Sequence, residues 1–246
     1  MNPSSPTTLY DPPGMHDFPP FPGFRPEAFD FLRQLGQNNR RDWFKPRKET
    51  YDDEVLWPMR CLVADAAREA ASQGLPFTGD PKRSLFRIYR DTRFSKNKNP
   101  YKTHAGAVLS RSGERRDSGV IYVHVEPGKA FLAGGFWRPE TSLLRAWRAR
   151  MAEAPALFLE MIRRLDAAGL PLGYGHDTLK RMPRGYENLA DTEVAEYLRW
   201  KSFIVSRTVS DETLQSPAFT QAVVQMMRDA LPLLEYGWQV EGVATP

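Results

Sequence analysis

Three short runs of strand character, residues 105–109, 120–125 and 130–136, stand together in the middle of this chain with helical patterns on both sides. The last two are joined by Glu126-Pro127-Gly128-Lys129, whose Pro-Gly centre suits a type II turn. Connections this short pair neighbouring strands antiparallel. Just ahead of them, residues 85–90 set Phe86 and Ile88 against Arg87 and Tyr89, a period of two that predicts one more strand. Residues 203–209 predict another. Strands grouped in this way, instead of alternating with single helices, constrain the fold to α+β: a mainly antiparallel sheet with helices packed on it.

The helical patterns flank that group. Pro26 opens a helix with Ala28, Phe31, Leu32 and Leu35 on one stripe, ending at Asn38-Asn39. Residues 47–72 carry Tyr51, Val55, Met59, Leu62, Val63, Ala66 and Ala70 at helical spacing, with Pro58 expected to kink or divide the helix. Beyond Pro139, one stripe holds Leu143, Leu144, Trp147 and Met151, and another from Pro155 holds Phe158, Leu159, Ile162 and Leu165. Residues 170–190 read as loop, residues 192–200 as a short helix, and a last helix starts at Pro217 behind Ser216. A length of 246 residues suits a single domain, expected over 23–240, behind a Pro-rich tail at 1–22 that is either disordered or draped on the domain.

Composition narrows the class. Apolar residues at 41% and charged residues at 26% belong to a globular protein, and no apolar run reaches membrane length. The start has neither the cationic lead nor the apolar stretch of a secretory signal, so the expected location is cytoplasmic, with no membrane partner. Cys61, the lone cysteine, lies in an apolar series and reads as a buried filler. His16, His104, His124 and His176 show no HExxH-like spacing; neither a metal site nor a cofactor is expected.

The basic excess is local. Between 81 and 104 there are eight Lys or Arg against one acid, a net +7 in a chain of formal charge +4, which leaves −3 for the rest. One dense cationic segment in an otherwise acidic chain points to a bounded site for a small acidic ligand more than to a nucleic-acid-coating face. Arg87, Arg90 and Arg93 offer planar forks for phosphate or carboxylate, and Asp91 is expected to orient them. Lys98 and Lys102 bracket Pro100-Tyr101, where Tyr101 is placed either to donate its hydroxyl or to pack over the loop. His104 is a candidate proton donor whose neutral form nearby cations would favour. No residue is assigned a catalytic role. The bland alternative for the whole cluster is an ion-pair network that fixes a loop.

Other features carry weaker signals. Tyr122 and His124 share parity on one strand, and a lone strand histidine is usually structural. Gly134-Gly135 fits a tight strand exit better than a phosphate loop. Lys201, Arg207 and the basic loop Arg181-Met-Pro-Arg184 read as exposed rim charge.

Arg87, Arg90, Asp91, Arg93, Phe94, Asn97, Lys98 and Tyr101 together spell R-x-x-R-D-x-R-F-x-x-(D/N)-K-x-x-Y. With Asn38-Asn39-Arg40, Asp42-Trp43-Phe44 and Gly134-Gly135, this pattern resembles the defining motif of a bacterial family numbered 2461 among domains of unknown function, over residues 21–238. The resemblance implies no reaction. The residues themselves support a domain that binds, and processes if it is an enzyme, a small phosphate- or carboxylate-bearing ligand at Arg87, Arg90, Asp91, Arg93, Lys98, Tyr101, Lys102 and His104. A structural or interaction role stands second and nucleic-acid binding, with aromatic stacking by Tyr89, Phe94 or Tyr101, third.

Overall fold

The computed structural model describes residues 17–173, 175 and 177–244. Most of the Pro-rich tail, His16 and His176 lie outside them. The fold is a single α+β domain around a four-stranded antiparallel sheet of strands β1 (Ala105–Leu109), β2 (Val120–Val125), β3 (Phe131–Phe136) and β4 (Phe203–Thr208), in the order β1-β2-β3-β4. Strand parity sorts the side chains. Ile121, Val123, Leu132 and Val205 are fully buried on one face, while Val108, Tyr122, Ala133 and Ser206 line up across the other.

Helices cover only the first face. The long helix α9 (Ala218–Ala244) runs against it, and its Met226 and Ala230 approach Gly134 so closely that a Cβ there would meet the Ala230 methyl at 2.8 Å. Helices α5 (Thr141–Glu153) and α6 (Pro155–Ala167) pack on α9 through Trp147 and Phe158, and Trp147 stacks on Phe203 at 4.2 Å. Gly135 has φ +133°, and a Cβ on it would press into the carbonyl of Phe203. The glycine pair therefore serves close packing of α9 and β4 against β3.

On the N-terminal side, α1 (Pro26–Gln37) buries Phe31, Leu32 and Leu35, with the expected stripe, and is followed by short α2 (Arg41–Phe44), a 3₁₀ turn and α3 (Lys48–Tyr51). The break expected at Pro58 takes the form of a π-helical turn, Asp52–Leu56, before α4 (Trp57–Ser72). Trp57 N–H bonds to Asp52 O there, a wider ring that reroutes the chain just before the residue that has no N–H to give. Cys61 is buried in α4, and burial pushes its thiol pKa up, as suits a filler.

Phe18 and Phe21 are buried, and Phe21 N–H donates to Asp65 Oδ2 while Arg68 Nη1 donates to Phe18 O at 3.0 Å. Short α7 (Ala195–Leu198) and α8 (Asp211–Leu214) flank β4. Among the described residues, no helix is long and apolar enough to cross a membrane.

Residues 85–90 differ from the expected strand. They meet β1 and the chain before it through isolated bridges, Leu85 with Ala107 and Tyr89 with Tyr101. Four steps on one side thus face six on the other, so the stretch 102–106 carries two extra residues and bulges. An uninterrupted ladder is impossible across that mismatch.

Candidate functional site

The uncovered face of the sheet is concave. It forms a cavity of about 1320 Å³, floored by Tyr122, Phe131 and Ala133 and edged by Phe86, Lys102 and Arg115. Phe86 from the segment 85–90 stands on one side, and Trp137 with Arg138 at the other. Arg138 holds φ +45° with its N–H on Ser202 Oγ at 3.0 Å, and Trp137 is 60% exposed.

At the first edge, Lys102 Nζ lies 5.2 Å from the centre of the Phe86 ring and the Arg115 guanidinium 5.8 Å from it. Arg115 Nη1 also donates to Leu85 O at 3.0 Å. Neither Lys102, Arg115 nor the adjoining Arg116 has a carboxylate partner among the described residues. Burial, followed by the charges of Arg87 and Arg115, lowers the pKa of Lys102. Positive charge is therefore concentrated at this edge without a direct ion pair among the described residues, although Asp117 and Glu140 also line the cavity.

Next to this edge the bulge delivers His104. Its ring sits 4.3 Å from that of His124, which stacks on Phe131 at 4.6 Å. His124 Nε2 is 3.2 Å from Glu126 Oε2, and Tyr122 Oη is 3.0 Å from His124 Nδ1. A carboxylate only accepts, so Nε2–H donates to Glu126 and Tyr122 O–H donates to Nδ1. Burial, then His124 and Lys102, lowers His104 to about 4, so its ring is neutral at physiological pH. Burial also outweighs Glu126 and lowers His124, and it pushes Tyr122 up to about 12.

The motif divides into a tip and a base. At the tip, Arg93 Nε and Nη2 donate to Asp91 Oδ1 and Oδ2 at 3.0 and 2.7 Å, and Arg93 N–H caps the same carboxylate. These hydrogen bonds hold the Asp91 carboxyl down at about 2. Lys98 Nζ donates to Thr92 O, and Phe94 is 95% exposed. Arg87 is exposed and Arg90 half-buried, with the Arg90 N–H on Pro100 O. Tyr101 is buried and stacked on Phe44 at 4.2 Å, while the Asn39 amide both donates to its carbonyl and accepts from its N–H. Asn39 and Phe44, some sixty residues before Tyr101 in the chain, thus clamp the base of the motif.

A match to a family decides the kinship. The family model described as "Conserved hypothetical protein (DUF2461)" covers residues 27–236. The chain belongs to the DUF2461 family. None of the curated proteins compared with it matches.

In this DUF2461 chain, the ligand candidates Lys102 and His104 line the cavity, whereas Arg87, Arg90, Asp91, Arg93, Lys98 and Tyr101 are not among its lining residues. Of the other basic residues, Arg207 also lines the cavity, whereas Lys201 and Arg184 are not among its lining residues. Arg207 reaches Asp229 on α9 at 2.9 Å and Ala168 O, Lys201 pairs with Asp177, and Arg184 lies beside Arg145 and Arg148 on another surface. Sequence reasoning assigned no site role to Phe86, Arg115, Arg116, Tyr122, Glu126 and Phe131. The parity of Tyr122 and His124 was the usable signal, and extended by two it reaches Glu126.

Proposed function

We propose that this domain binds a small organic anion on the open face of its sheet, with the anionic group at Lys102, Arg115 and Arg116 and the body of the ligand on Phe86, Tyr122 and Phe131. The observation that carries this reading is the set of three cations without carboxylate partners on one edge of an aromatic-floored cavity. Like charges gathered this way repel one another, and an oxyanion between them relieves that cost while accepting paired hydrogen bonds from guanidinium. An aromatic floor with polar anchors at the edge is the combination expected of small-ligand sites. The motif's tip, whose Arg93 already holds Asp91, supports a role in shaping the loop, and Lys102, the residue just after the motif, is one of the binding groups.

Thermal unfolding of the full chain at low salt tests the reading, with inorganic phosphate, phenyl phosphate and benzoate as probes. Phenyl phosphate at 100 times its Kd stabilises by about 2.7 kcal/mol, more than inorganic phosphate at equal concentration. Arg115→Ala and Arg116→Ala each abolish the shift, while Arg93→Ala keeps it. Absence of a shift with every anion, or a shift that survives both cavity substitutions, overturns the proposal.

A further inference from the structure

The geometry points to a divalent transition-metal site formed by His104, His124 and Glu126 beside the cavity. The ligating atoms of these three side chains all lie within 4.8 Å of one another. For two ligands bound at about 2.1 Å with an angle near tetrahedral, the separation between them is roughly 3.4 Å; His124 Nε2 and Glu126 Oε2 stand 3.2 Å apart. That half of the site needs almost no rearrangement. His104, which makes no hydrogen bond among the described residues, needs only a small ring movement to close the third side.

The surroundings are those of a held ligand set. Tyr122 bonds Nδ1 of His124, the nitrogen opposite the one that faces Glu126, and so acts as the outer partner that fixes the ring of a metal-bound histidine. On metal binding, the single imidazole proton moves from Nε2 to Nδ1 and Tyr122 turns from donor to acceptor, with no net proton gained or lost. Phe131 stacks under His124 and keeps the ring from swinging. Glu126 is steadied through its other oxygen, which Thr103 Oγ1 reaches at 3.5 Å and Lys129 Nζ at 3.9 Å.

Two imidazoles and one carboxylate favour Zn²⁺, Fe²⁺ or Co²⁺ over Mg²⁺ or Ca²⁺, which prefer all-oxygen sets. Three protein ligands leave at least one coordination position, on the side that His104 shares with the cavity. Spacing along the chain does not announce such a site, because the ligands come from a bulge, a neighbouring strand and the residue just past that strand in place of a helix-spaced pair.

The site rests on neither Arg115 nor Arg116, so it and the anion reading can fail separately. The test uses untagged full-length protein stripped with a chelator, then titrated with Zn²⁺ by calorimetry and with Co²⁺ by visible absorption. One equivalent binds, Co²⁺ gives the intense spectrum of a four- or five-coordinate ion, and Mg²⁺ does not compete. His104→Gln and Glu126→Gln each weaken Zn²⁺ binding at least about tenfold and Tyr122→Phe about tenfold, while phenyl phosphate still protects His104→Gln. The Co²⁺ spectrum of the unaltered chain requires no variant, so misfolding of a variant leaves the test intact. No saturable site, a purely octahedral Co²⁺ spectrum, or affinity unchanged in both His104→Gln and Glu126→Gln overturns the inference.

Discussion

Tyr236 carries a buried hydroxyl with no hydrogen-bond partner among the described residues, inside the cluster where its ring meets Trp147 at 5.1 Å. A buried hydroxyl left unpaired costs about 1–3 kcal/mol. Tyr236→Phe is therefore expected to raise stability by about 1 kcal/mol, read from denaturant unfolding. Burial also pushes the Tyr236 phenol up to about 12. The folded chain keeps this proton when the unfolded chain loses it near 10, so stability falls as pH climbs from 10 to 12, and the Phe variant falls less steeply. Asp91 works in the opposite direction. Its carboxyl is held at about 2 by Arg93, so the tip pairing is present above pH 4 and is lost as pH falls from 4 through 2. Carboxyl chemical shifts should show that midpoint, and Asp91→Asn or high salt should speed amide exchange at Arg93 with little change in global stability, since the pair is exposed.

At the scale of elements, β3 is the strand that tolerates least. Gly135→Ala forces a Cβ onto the Phe203 carbonyl and a side chain into φ +133°, so β3 and β4 must separate. The expected loss exceeds about 3 kcal/mol, seen as a lowered urea midpoint with loss of near-ultraviolet signal from Trp147. Gly128→Ala, which also puts a side chain at a positive φ of +70° but meets no atom within 4 Å, serves as the milder comparison, expected to cost about 1 kcal/mol. The grouping of strands was legible in the chain because parity and the Pro-Gly turn are local signals, and β2 and β4 lie where these place them. The bulge was not legible. Its extra residues, within Lys102-Thr103-His104-Ala105-Gly106, have no turn chemistry of their own and are defined only by what Leu85 and Tyr89 pair with. The candidate site was half legible for a similar reason: charge density drew attention to the motif, but density does not tell a guanidinium that pairs with the next-but-one carboxylate from an ammonium that faces a cavity. Tyr122, His124 and Glu126 carried only their shared parity.

On the scale of the whole molecule, the N-terminal segment is a strap across two helices. Asp65 on α4 accepts from Phe21 N–H and from Thr220 Oγ1 on α9, while Arg68 holds the Phe18 carbonyl and pairs with Asp65. Phe21 further packs edge-on against Phe219. Removing residues 1–22 strips two buried rings, each worth about 1.5–3 kcal/mol, and leaves the Asp65 carboxylate with fewer donors. Thermal unfolding of the shortened chain should begin well below that of the full chain, and restoring residues 17–22 should recover most of the difference.

Because the helices take one face of the sheet and leave the other bare, the domain keeps its scaffold and its proposed site on opposite sides of a single layer. The bulge beside β1 respects that division. An insertion of two residues is an even number, so side-chain parity is kept across it: Tyr101 stays inward, and His104 shares the open face with Val108. One residue fewer would turn the remainder of that segment inside out, whereas losing the pair together would disarm the surface and spare the scaffold beneath.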